Sequence, residues 1–231
     1  MNILSIIPAR SGSKSIPNKN IKILAGKPLL SYSIDYSKRC KIVTNTIVST
    51  DSFEYKEIAL KYGADVPMLR PSNLSGDDIQ DYPVAYHELI ISEKYFNKIF
   101  DIIVWLRPTS PLRPNGLIEK GIKILTDNKN IDSIRSIAEA TEHPFRQWIL
   151  EENRITMKPY ENLSFEPYNM PRQLLTKTYF QTGDIEIFKR STLINGSISG
   201  NIIAPIIINH SDMVDIDDHN DWEIAKNKLQ K

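Results

Sequence analysis

The chain has 231 residues, of which 41% are hydrophobic and 25% are charged, and its formal net charge is +1. This near-balance leaves no global field that would recruit nucleic acid or an anionic membrane, so any electrostatic function must be local. The single cysteine, Cys40, excludes an intrachain disulfide, and the sequence carries neither a membrane-length apolar run nor a signal-peptide pattern, so we expect a cytoplasmic protein.

Strand and helix patterns alternate through the first half of the chain. A short apolar run that ends at Pro8 predicts a buried first strand over residues 3–7. Further strands are predicted over residues 46–51, 66–69, 99–106 and 133–138. Helices are predicted over residues 27–38, 53–62, 84–96 and 116–125. This alternation favours an α/β fold with a mainly parallel sheet.

The pattern changes over residues 139–180, which are rich in proline, aromatic and polar residues and show weak periodicity. We interpret this stretch as an excursion from the core that forms a lid, a dimerisation arm or both. After it, strands are predicted over residues 183–188 and 202–208, and a final helix over residues 220–229. Residues 1–231 are therefore predicted to form one domain with an excursion.

The loop after the first strand is unusually basic. Between Met1 and Ile34 there is no aspartate or glutamate, whereas five cations occur there: Arg10, Lys14, Lys19, Lys22 and Lys27. A small-residue loop leaving a buried strand exposes backbone N–H groups, and nearby cations add positive charge, which together suit a polyphosphate. A basic, solvated surface loop is the alternative that composition alone leaves open.

Polar loops follow several of the predicted strands. Arg10, Asp51 and Arg107 each lie just beyond the end of one. In parallel sheets ligands bind outside the carboxyl ends of the strands, so we expect these loops to open on one crevice.

Two aspartates near the end of the chain predict a metal site. Asp215 and Asp217 alternate with Val214 and Ile216, so both carboxylates project from one face if the segment is extended. Adjacent carboxylates repel unless a cation lies between them, and Mg²⁺ takes such oxygen ligands together with phosphate oxygens. Helix capping is the alternative, and it suits Asp218 better than Asp215.

Several motifs together resemble one known family. Residues 7–21, which read IPARSGSKSIPNKNI, resemble the N-terminal motif of CMP-sialic acid synthetases, the acylneuraminate cytidylyltransferases. Further motifs of that family follow in its order: VSTD at 48–51, YGADV at 62–66, LRP at 69–71, PTSPLR at 108–113, PRQ at 171–173 and DID at 215–217. The resemblance spans nearly the whole chain, and the family includes relatives for legionaminic and pseudaminic acid.

The resemblance implies a Rossmann-like, three-layer nucleotidyltransferase core, a homodimer, and Mg²⁺-dependent transfer of CMP from CTP to an acidic nonulosonic sugar with loss of pyrophosphate. It implies a nucleotide site made of Ala9, Arg10, Ser11, Gly12, Lys14, Lys19, Asn20, Arg70, Asp77 and Asp81. The basic loop would hold the triphosphate, and the segment from Arg70 to Asp81 would meet the cytosine and ribose. The sugar would lie near Arg107, Arg172, Gln181 and Glu186, and Mg²⁺ on Asp215 and Asp217. The residues expected to be catalytic are Arg10, Lys19 and Asp217.

Two departures from the family pattern lie on the sugar side. Arg107 stands where sialic acid enzymes usually carry glutamine, and Glu186 stands where an aromatic residue is common. The family motifs and the available cations predict a nine-carbon α-keto acid acceptor. The departures predict that N-acetylneuraminate is not the best one, unless Arg107 and Glu186 simply pair away from the ligand. Two other functions stay open: a nucleotidyltransferase that uses a sugar 1-phosphate and another NTP, and a non-catalytic nucleotide-sugar-binding protein.

Overall fold

The computed structural model of the protein describes residues 1–152, 156–160 and 166–230. The strands in these residues are β1 Ile3–Pro8, β2 Ile23–Leu24, β3 Lys27–Pro28, β4 Asn45–Ser49, β5 Ile102–Trp105, β6 Ser133–Glu139, β7 Trp148–Leu150, β8 Met157–Pro159, β9 Tyr179–Lys189 and β10 Ile203–Ile207. The α-helices are α1 Leu29–Arg39, α2 Phe53–Lys61, α3 Asp81–Phe96, α4 Leu117–Asp127, α5 Arg190–Ile194 and α6 His219–Leu229. None of these described helices has the length and apolar character needed to cross a lipid bilayer.

One mixed sheet organises the described chain, with strands in the order β10–β6–β9–β5–β1–β4. β1 runs parallel to both β4 and β5, and β10 runs parallel to β6. β9 lies between β5 and β6 and is antiparallel to both. The predicted α/β fold with a mainly parallel sheet is thus confirmed.

Helices cover both faces of this sheet. Ile3 and Ile7 of β1 enter a core that contains residues of α1, α2 and α4, whereas Leu4 and Ile6 enter a second core with residues of α3. Because successive side chains of a strand point to opposite faces, a strand buried on both faces needs a continuous apolar run. That requirement explains the sequence of β1 and gives the predicted three-layer arrangement.

The predicted strand over residues 66–69 is wrong. In this region a single bridge between Ile47 and Asp65 joins the chain to the sheet. Pro67 has no N–H to donate to a ladder, and the side chain of Met68 is exposed. The first helix also begins later than predicted, at Leu29, because the two residues before it pair with β2.

The segment from Met213 to Asp217 joins no sheet. Its side chains still alternate, since Val214 and Ile216 are buried while Asp215 and Asp217 are exposed. The condition for a same-face pair of carboxylates is therefore met without strand pairing.

The predicted excursion contains a small antiparallel hairpin formed by β7 and β8. Its apolar side chains are largely exposed, including Trp148, Leu150 and Met157, and the Trp148 ring lies 4.8 Å from that of Tyr168, centroid to centroid. Residues 153–155 and 161–165 of the excursion lie outside the described residues. Its assignment as a dimerisation arm stays a prediction.

Candidate active site

A cleft of about 500 Å³ lies at the carboxyl ends of β1 and β5. Eight of the predicted site residues line it: Arg10, Lys14, Lys19, Asn20, Arg70, Asp77, Asp81 and Arg107. The loops that follow β1 and β5 thus open on one crevice, as the strand order leads one to expect. A wider cavity of about 900 Å³ lies against α1, α6 and residues 111–115, but none of the predicted site residues lines it.

The basic loop is shaped by the end of β4. The backbone N–H of Ser11 donates to Asp51 at 2.8 Å and its hydroxyl donates to the same carboxylate at 3.0 Å. The N–H of the buried Ala9 donates to the carbonyl of Ser49 at 2.8 Å. These contacts place Ala9, Ser11 and Gly12 in the loop backbone beside the cleft rather than among its lining residues. Asp51 therefore supports the loop instead of facing the cleft.

Lys19 connects the basic loop to the aspartate pair. Its Nζ donates to the carbonyl oxygen of Ile216 at 2.6 Å, so the ammonium group lies against the backbone between Asp215 and Asp217. The side chain of Asn20 donates to the carbonyl of Arg10 at 3.0 Å and fixes the loop's return. Two motifs almost 200 residues apart in sequence meet at this point.

The carboxylate of Asp77 contacts two cations of the basic loop. It pairs with Arg10 at 2.5 Å and also with Lys14. The hydrogen bonds from Lys14 and Arg10 hold the pKa of Asp77 below its ordinary value. The resemblance associates this residue with the cytosine and ribose, whereas the structure places it as the counter-ion of the cations expected to bind phosphate.

Arg70 is a buried cation that lines the cleft. Its Nε donates to the hydroxyl of Ser49 at 2.8 Å and its Nη2 donates to the carbonyl of the same residue at 2.7 Å. Burial lowers the pKa of Arg70 below its ordinary value, while the charges of Glu88 and Asp51 act in the opposite direction. The guanidinium is therefore fixed to the end of β4 by two bonds to one residue.

The side chains of the aspartate pair are distinct from the helix cap beside them, although the N–H of Asp217 also donates to Asp221 at 3.0 Å. Asp218 caps α6 by accepting from the N–H groups of Asn220 and Asp221, and Asp221 accepts in return from the N–H of Asp218. Burial, followed by the charge of Asp217, raises the pKa of Asp215, although much of this residue's surface is in contact with solvent. The capping alternative thus accounts for Asp218 and leaves the two carboxylates facing each other's charge.

Arg107 closes the other end of the cleft. Its Nη2 donates to Glu186 at 2.9 Å, its Nε donates to the same oxygen at 3.3 Å, and it also pairs with Asp81. Arg107 is 31% exposed, whereas Glu186 is 1% exposed. Arg107 thus pairs with Glu186, as the alternative in the sequence analysis allowed. Arg107 nevertheless lines the cleft.

Glu186 lies behind Arg107 and contacts several polar side chains. Arg135 of β6 contacts its carboxylate from the other side, and burial lowers the pKa of Arg135 to about 10. Gln181 approaches Glu186 at 3.4 Å. Gln181 and Glu186, both predicted near the sugar, therefore lie behind the cleft wall instead of lining the cleft.

Arg172 does not join this cluster. Within the described chain it lines shallow cavities on the excursion together with Glu139 and Ala140. The structure of one chain thus places most of the predicted nucleotide positions and Arg107 around one cleft. It places Asp215 and Asp217 beside Lys19 but not among the lining residues of the cleft, and it leaves Arg172 apart.

Sequence reasoning gave no role to Arg113 and Arg135. Arg113 donates to the carbonyl oxygens of Arg107 and Asp184 and to the hydroxyl of Ser33, and its burial lowers its pKa to about 10. It holds the Arg107 loop in place. A basic residue in a proline-containing loop was visible in the sequence, but two of its three partners lie 71 and 80 positions away.

A model of the cytidylyltransferase family matches residues 4–188, which run from β1 into β9 and include the basic loop, Arg70 and Arg107. The chain belongs to the cytidylyltransferase family. It is therefore a nucleotidyltransferase. This finding favours an enzyme over a non-catalytic binding protein. Asp215 and Asp217 lie beyond the matched residues.

Relatives with named sugars are similar to this cytidylyltransferase. The chain is 30% identical over 232 residues to a CMP-N,N′-diacetyllegionaminic acid synthase of Legionella pneumophila, covering 100% of this chain and 97% of that protein. It is 34% identical over 185 residues to a pseudaminic acid cytidylyltransferase of Campylobacter jejuni, covering 79% of this chain and 76% of that protein. Because the sequence identities to the two relatives are similar, they do not distinguish between the two sugars. The residues of the site must supply that distinction.

A solved structure agrees with the fold. A CMP:2-keto-3-deoxy-manno-octonic acid synthetase complexed with CTP superposes with a TM-score of 0.74 at 14% identity, covering 100% of this chain and 99% of that one. The Rossmann-like nucleotidyltransferase core expected from the sequence is confirmed.

Proposed function

We propose that this cytidylyltransferase joins CMP from CTP to an acidic nonulosonic sugar, with release of pyrophosphate and dependence on Mg²⁺. The observation that carries the proposal is the bond from Lys19 to the carbonyl of Ile216. It brings a loop suited to a polyphosphate against a pair of carboxylates suited to a divalent cation. The sequences of the legionaminic and pseudaminic relatives support the sugar class.

The nucleotide half of the cleft supplies positive charge and donors. Arg10, Lys14 and Lys19 would hold the triphosphate, with Asn20 ordering the loop beneath it. Arg70 would face the nucleoside. Binding requires the phosphates to displace Asp77 from Arg10 and Lys14, so CTP replaces an existing ion pair rather than entering an unneutralised pocket.

Asp215 and Asp217 fit a divalent cation. The pKa of Asp215 is raised mainly by burial and additionally by the charge of Asp217, and a cation between the two carboxylates would relieve their repulsion. Both offer the hard carboxylate oxygens that Mg²⁺ prefers, and the phosphates of CTP would complete its shell. A bound Mg²⁺ ion would neutralise phosphate charge and so favour displacement at the α-phosphate.

The chain's own part in the chemistry is positioning and electrostatic stabilisation. The anomeric hydroxyl of the sugar would attack the α-phosphate in line, forming a new P–O bond as the bond to pyrophosphate breaks and the hydroxyl proton passes to solvent. Lys19 would stabilise the negative charge that develops on pyrophosphate. No described side chain stands out as a general base, in keeping with phosphoryl-type transfer, which relies mainly on orientation.

The sugar half offers Arg107 to the acceptor's carboxylate. A guanidinium can bind a carboxylate through two parallel hydrogen bonds, which glutamine cannot do. Because Asp81 already pairs with Arg107, the sugar carboxylate would take the place of an internal carboxylate. Glu186 would remain behind Arg107 and hold its orientation.

The exposed hairpin β7–β8 supports a homodimer. Trp148, Ile149, Leu150 and Met157 lie on three-residue strands and are each more than 40% exposed. Apolar side chains grouped on one projecting hairpin are typical of a protein–protein contact. A second copy would also bring a second excursion, and with it a second Arg172, into the assembly.

A pyrophosphate-release assay across ATP, CTP, GTP and UTP, with a panel of nonulosonic acids, tests the function directly. We expect release only with CTP and a nonulosonic acid, with a CMP-sugar as product. Release that requires a sugar 1-phosphate would overturn the acceptor class and favour a different sugar nucleotidyltransferase. Nucleotide binding without turnover on any acceptor would favour a binding protein.

A further inference from the structure

A fully buried carboxylate lies behind the nucleotide side of the cleft, next to Arg70. Glu88 is on α3 and is 0% exposed. Its Oε1 accepts a hydrogen bond from the hydroxyl of Ser49 at 2.6 Å. The oxygen of that hydroxyl in turn accepts from Nε of Arg70 at 2.8 Å. Glu88, Ser49 and Arg70 therefore form a continuous chain of hydrogen bonds that ends in the cleft.

The direction of these bonds fixes the orientation of each group. The Ser49 hydroxyl has one proton, and it gives that proton to Glu88, so its lone pairs are turned toward Arg70. Nη2 of Arg70 is held at the same time by the Ser49 carbonyl at 2.7 Å. With Nε and Nη2 occupied at one residue, the guanidinium plane is determined.

Because Arg70 is buried, the negative charge of Glu88 favours the protonated form of its guanidinium. Arg70 is 6% exposed, and a buried guanidinium is costly unless an anion lies close by. Glu88 is the group whose charge most favours the protonated form of Arg70, ahead of Asp51. A neutral residue of the same shape at position 88 could keep the hydrogen bond but would remove the charge.

We propose that Glu88 is a positioning residue for nucleotide binding, which acts through Ser49 to hold the Arg70 guanidinium ready in the cleft. The proposal rests on the proposed function only in naming CTP as the nucleotide. Glu88 itself does not touch the substrate. The hydrogen bonds of such a buried network reinforce one another, so the loss of one member disorders the next.

A merely structural Glu88 would stabilise the fold without affecting Arg70 in particular. The two roles separate in a double-mutant cycle, since residues that act through a common contact are not additive. Glu88→Gln and Ser49→Ala are made alone and in the Arg70→Ala background. Ser92→Ala is the matched control, because Ser92 is equally buried one turn along α3 and its hydroxyl has no partner among the described residues.

The dissociation constant for CTP is measured by calorimetry for each variant, with thermal unfolding as a check on the fold. Glu88→Gln should weaken CTP binding about tenfold because the charge that favours Arg70 is lost, and Ser49→Ala should do so because Arg70 loses a hydrogen-bond acceptor; a loss of this size is typical of an interaction with a charged group. In the Arg70→Ala background both changes should have less than a twofold effect. Ser92→Ala should bind CTP like the original protein. In steady-state kinetics of Glu88→Gln and Ser49→Ala, KM for CTP should rise while KM for the sugar stays unchanged.

Additive losses in the Arg70→Ala background, or unchanged CTP binding in a folded Glu88→Gln protein, would overturn the proposal. Should Glu88→Gln not fold, the Ser49→Ala cycle decides on the same criterion. If the original protein binds another nucleotide instead of CTP, the proposed function fails while the cycle is still read with that nucleotide. If it binds none of the four NTPs, both proposals fall.

Discussion

On the nucleotide side of the cleft, Arg10, Lys14 and Lys19 come from one short loop whose shape is set by backbone bonds to the end of β4. On the sugar side, Arg107 is held by Glu186, which lies 79 positions further along the chain. The three cations of the basic loop come from one short stretch of sequence, whereas Arg107 is oriented by a side chain from a distant strand. On the proposed assignment, exchange of a few side chains would change the sugar half while the backbone and the nucleotide half stay the same.

The two halves share one property, which is that each already holds an internal anion. Asp77 pairs with the basic loop and Asp81 pairs with Arg107. Asp77 lies between Arg70 and α3, and Asp81 is the first residue of α3. The substrates' phosphates and carboxylate would each compete with a carboxylate of the protein.

The largest effect is expected where the halves meet, at the aspartate pair. The double change Asp215→Asn and Asp217→Asn should reduce turnover by about 10³-fold or more, because the metal's charge stabilisation is lost. Asp217→Asn alone should raise the Mg²⁺ concentration needed for half-maximal rate. Asp218→Asn is the control, since asparagine also caps helices well and the Mg²⁺ dependence should not move. An unaltered Mg²⁺ titration in the double variant would make the pair structural.

On the nucleotide side, Lys19→Ala should lower kcat by about 10²–10³-fold, which is the usual loss when a donor to developing negative charge is removed. Lys22→Ala is the matched control, because Lys22 belongs to the same basic stretch but lies over the ring of Trp222, 5.0 Å from its centroid. Steady-state kinetics and circular dichroism on both variants would check this. Near-normal turnover in a folded Lys19→Ala protein contradicts the assignment.

On the sugar side, Arg107→Gln restores the residue usual in sialic acid enzymes. It should raise KM for the native sugar about 10- to 100-fold and leave KM for CTP nearly unchanged, since a charged hydrogen-bond partner of the acceptor is lost. Arg190→Gln is the control: this arginine pairs with Glu93 at 2.8 Å and is 32% exposed, close to the 31% of Arg107. Equal rises in both Michaelis constants would show that Arg107 does not belong to the sugar half alone.

The smallest effect concerns the internal anion of the nucleotide half. Asp77→Asn removes the competitor of the phosphates, so the dissociation constant for CTP should fall about two- to fivefold, as expected for an exposed ion pair. The improvement should shrink as salt concentration rises. Weaker CTP binding in this variant would instead support the contact with cytosine and ribose that the family resemblance implies.

The sequence predicts the features of this site that depend on local patterns better than those that depend on distant partners. The strand over residues 3–7, the basic loop and the same-face aspartates are local patterns, and the structure has all three where the sequence places them. The strand over residues 66–69 failed because apolar residues alone do not reveal that the segment lacks a partner beyond a single bridge. Propensity describes a segment, whereas strand formation also depends on what pairs with it.

The sequence predicts the pairing of Arg107 with Glu186 only as an alternative, and it does not indicate the other long-range polar contacts of the site. Arg10 meets Asp77 across 67 positions, and Ser49 meets Glu88 across 39. Periodicity shows that a residue is buried or exposed, but it does not show which charge lies opposite. The roles of Asp77 and Glu88 became visible only when the fold had brought the strand ends together.

The most direct test of the central claim, a nucleotide half that is kept and a sugar half that is rebuilt, is acceptor selectivity with CTP. kcat/KM is compared for N-acetylneuraminate, a legionaminic acid, a pseudaminic acid and a deoxy-octulosonic acid. We expect one of the legionaminic or pseudaminic acids to exceed N-acetylneuraminate by at least about tenfold, because Arg107 and Glu186 change the polarity that the sugar meets. A clear preference for N-acetylneuraminate would contradict the account of the sugar half, and no reaction with any of the four would contradict the acceptor class.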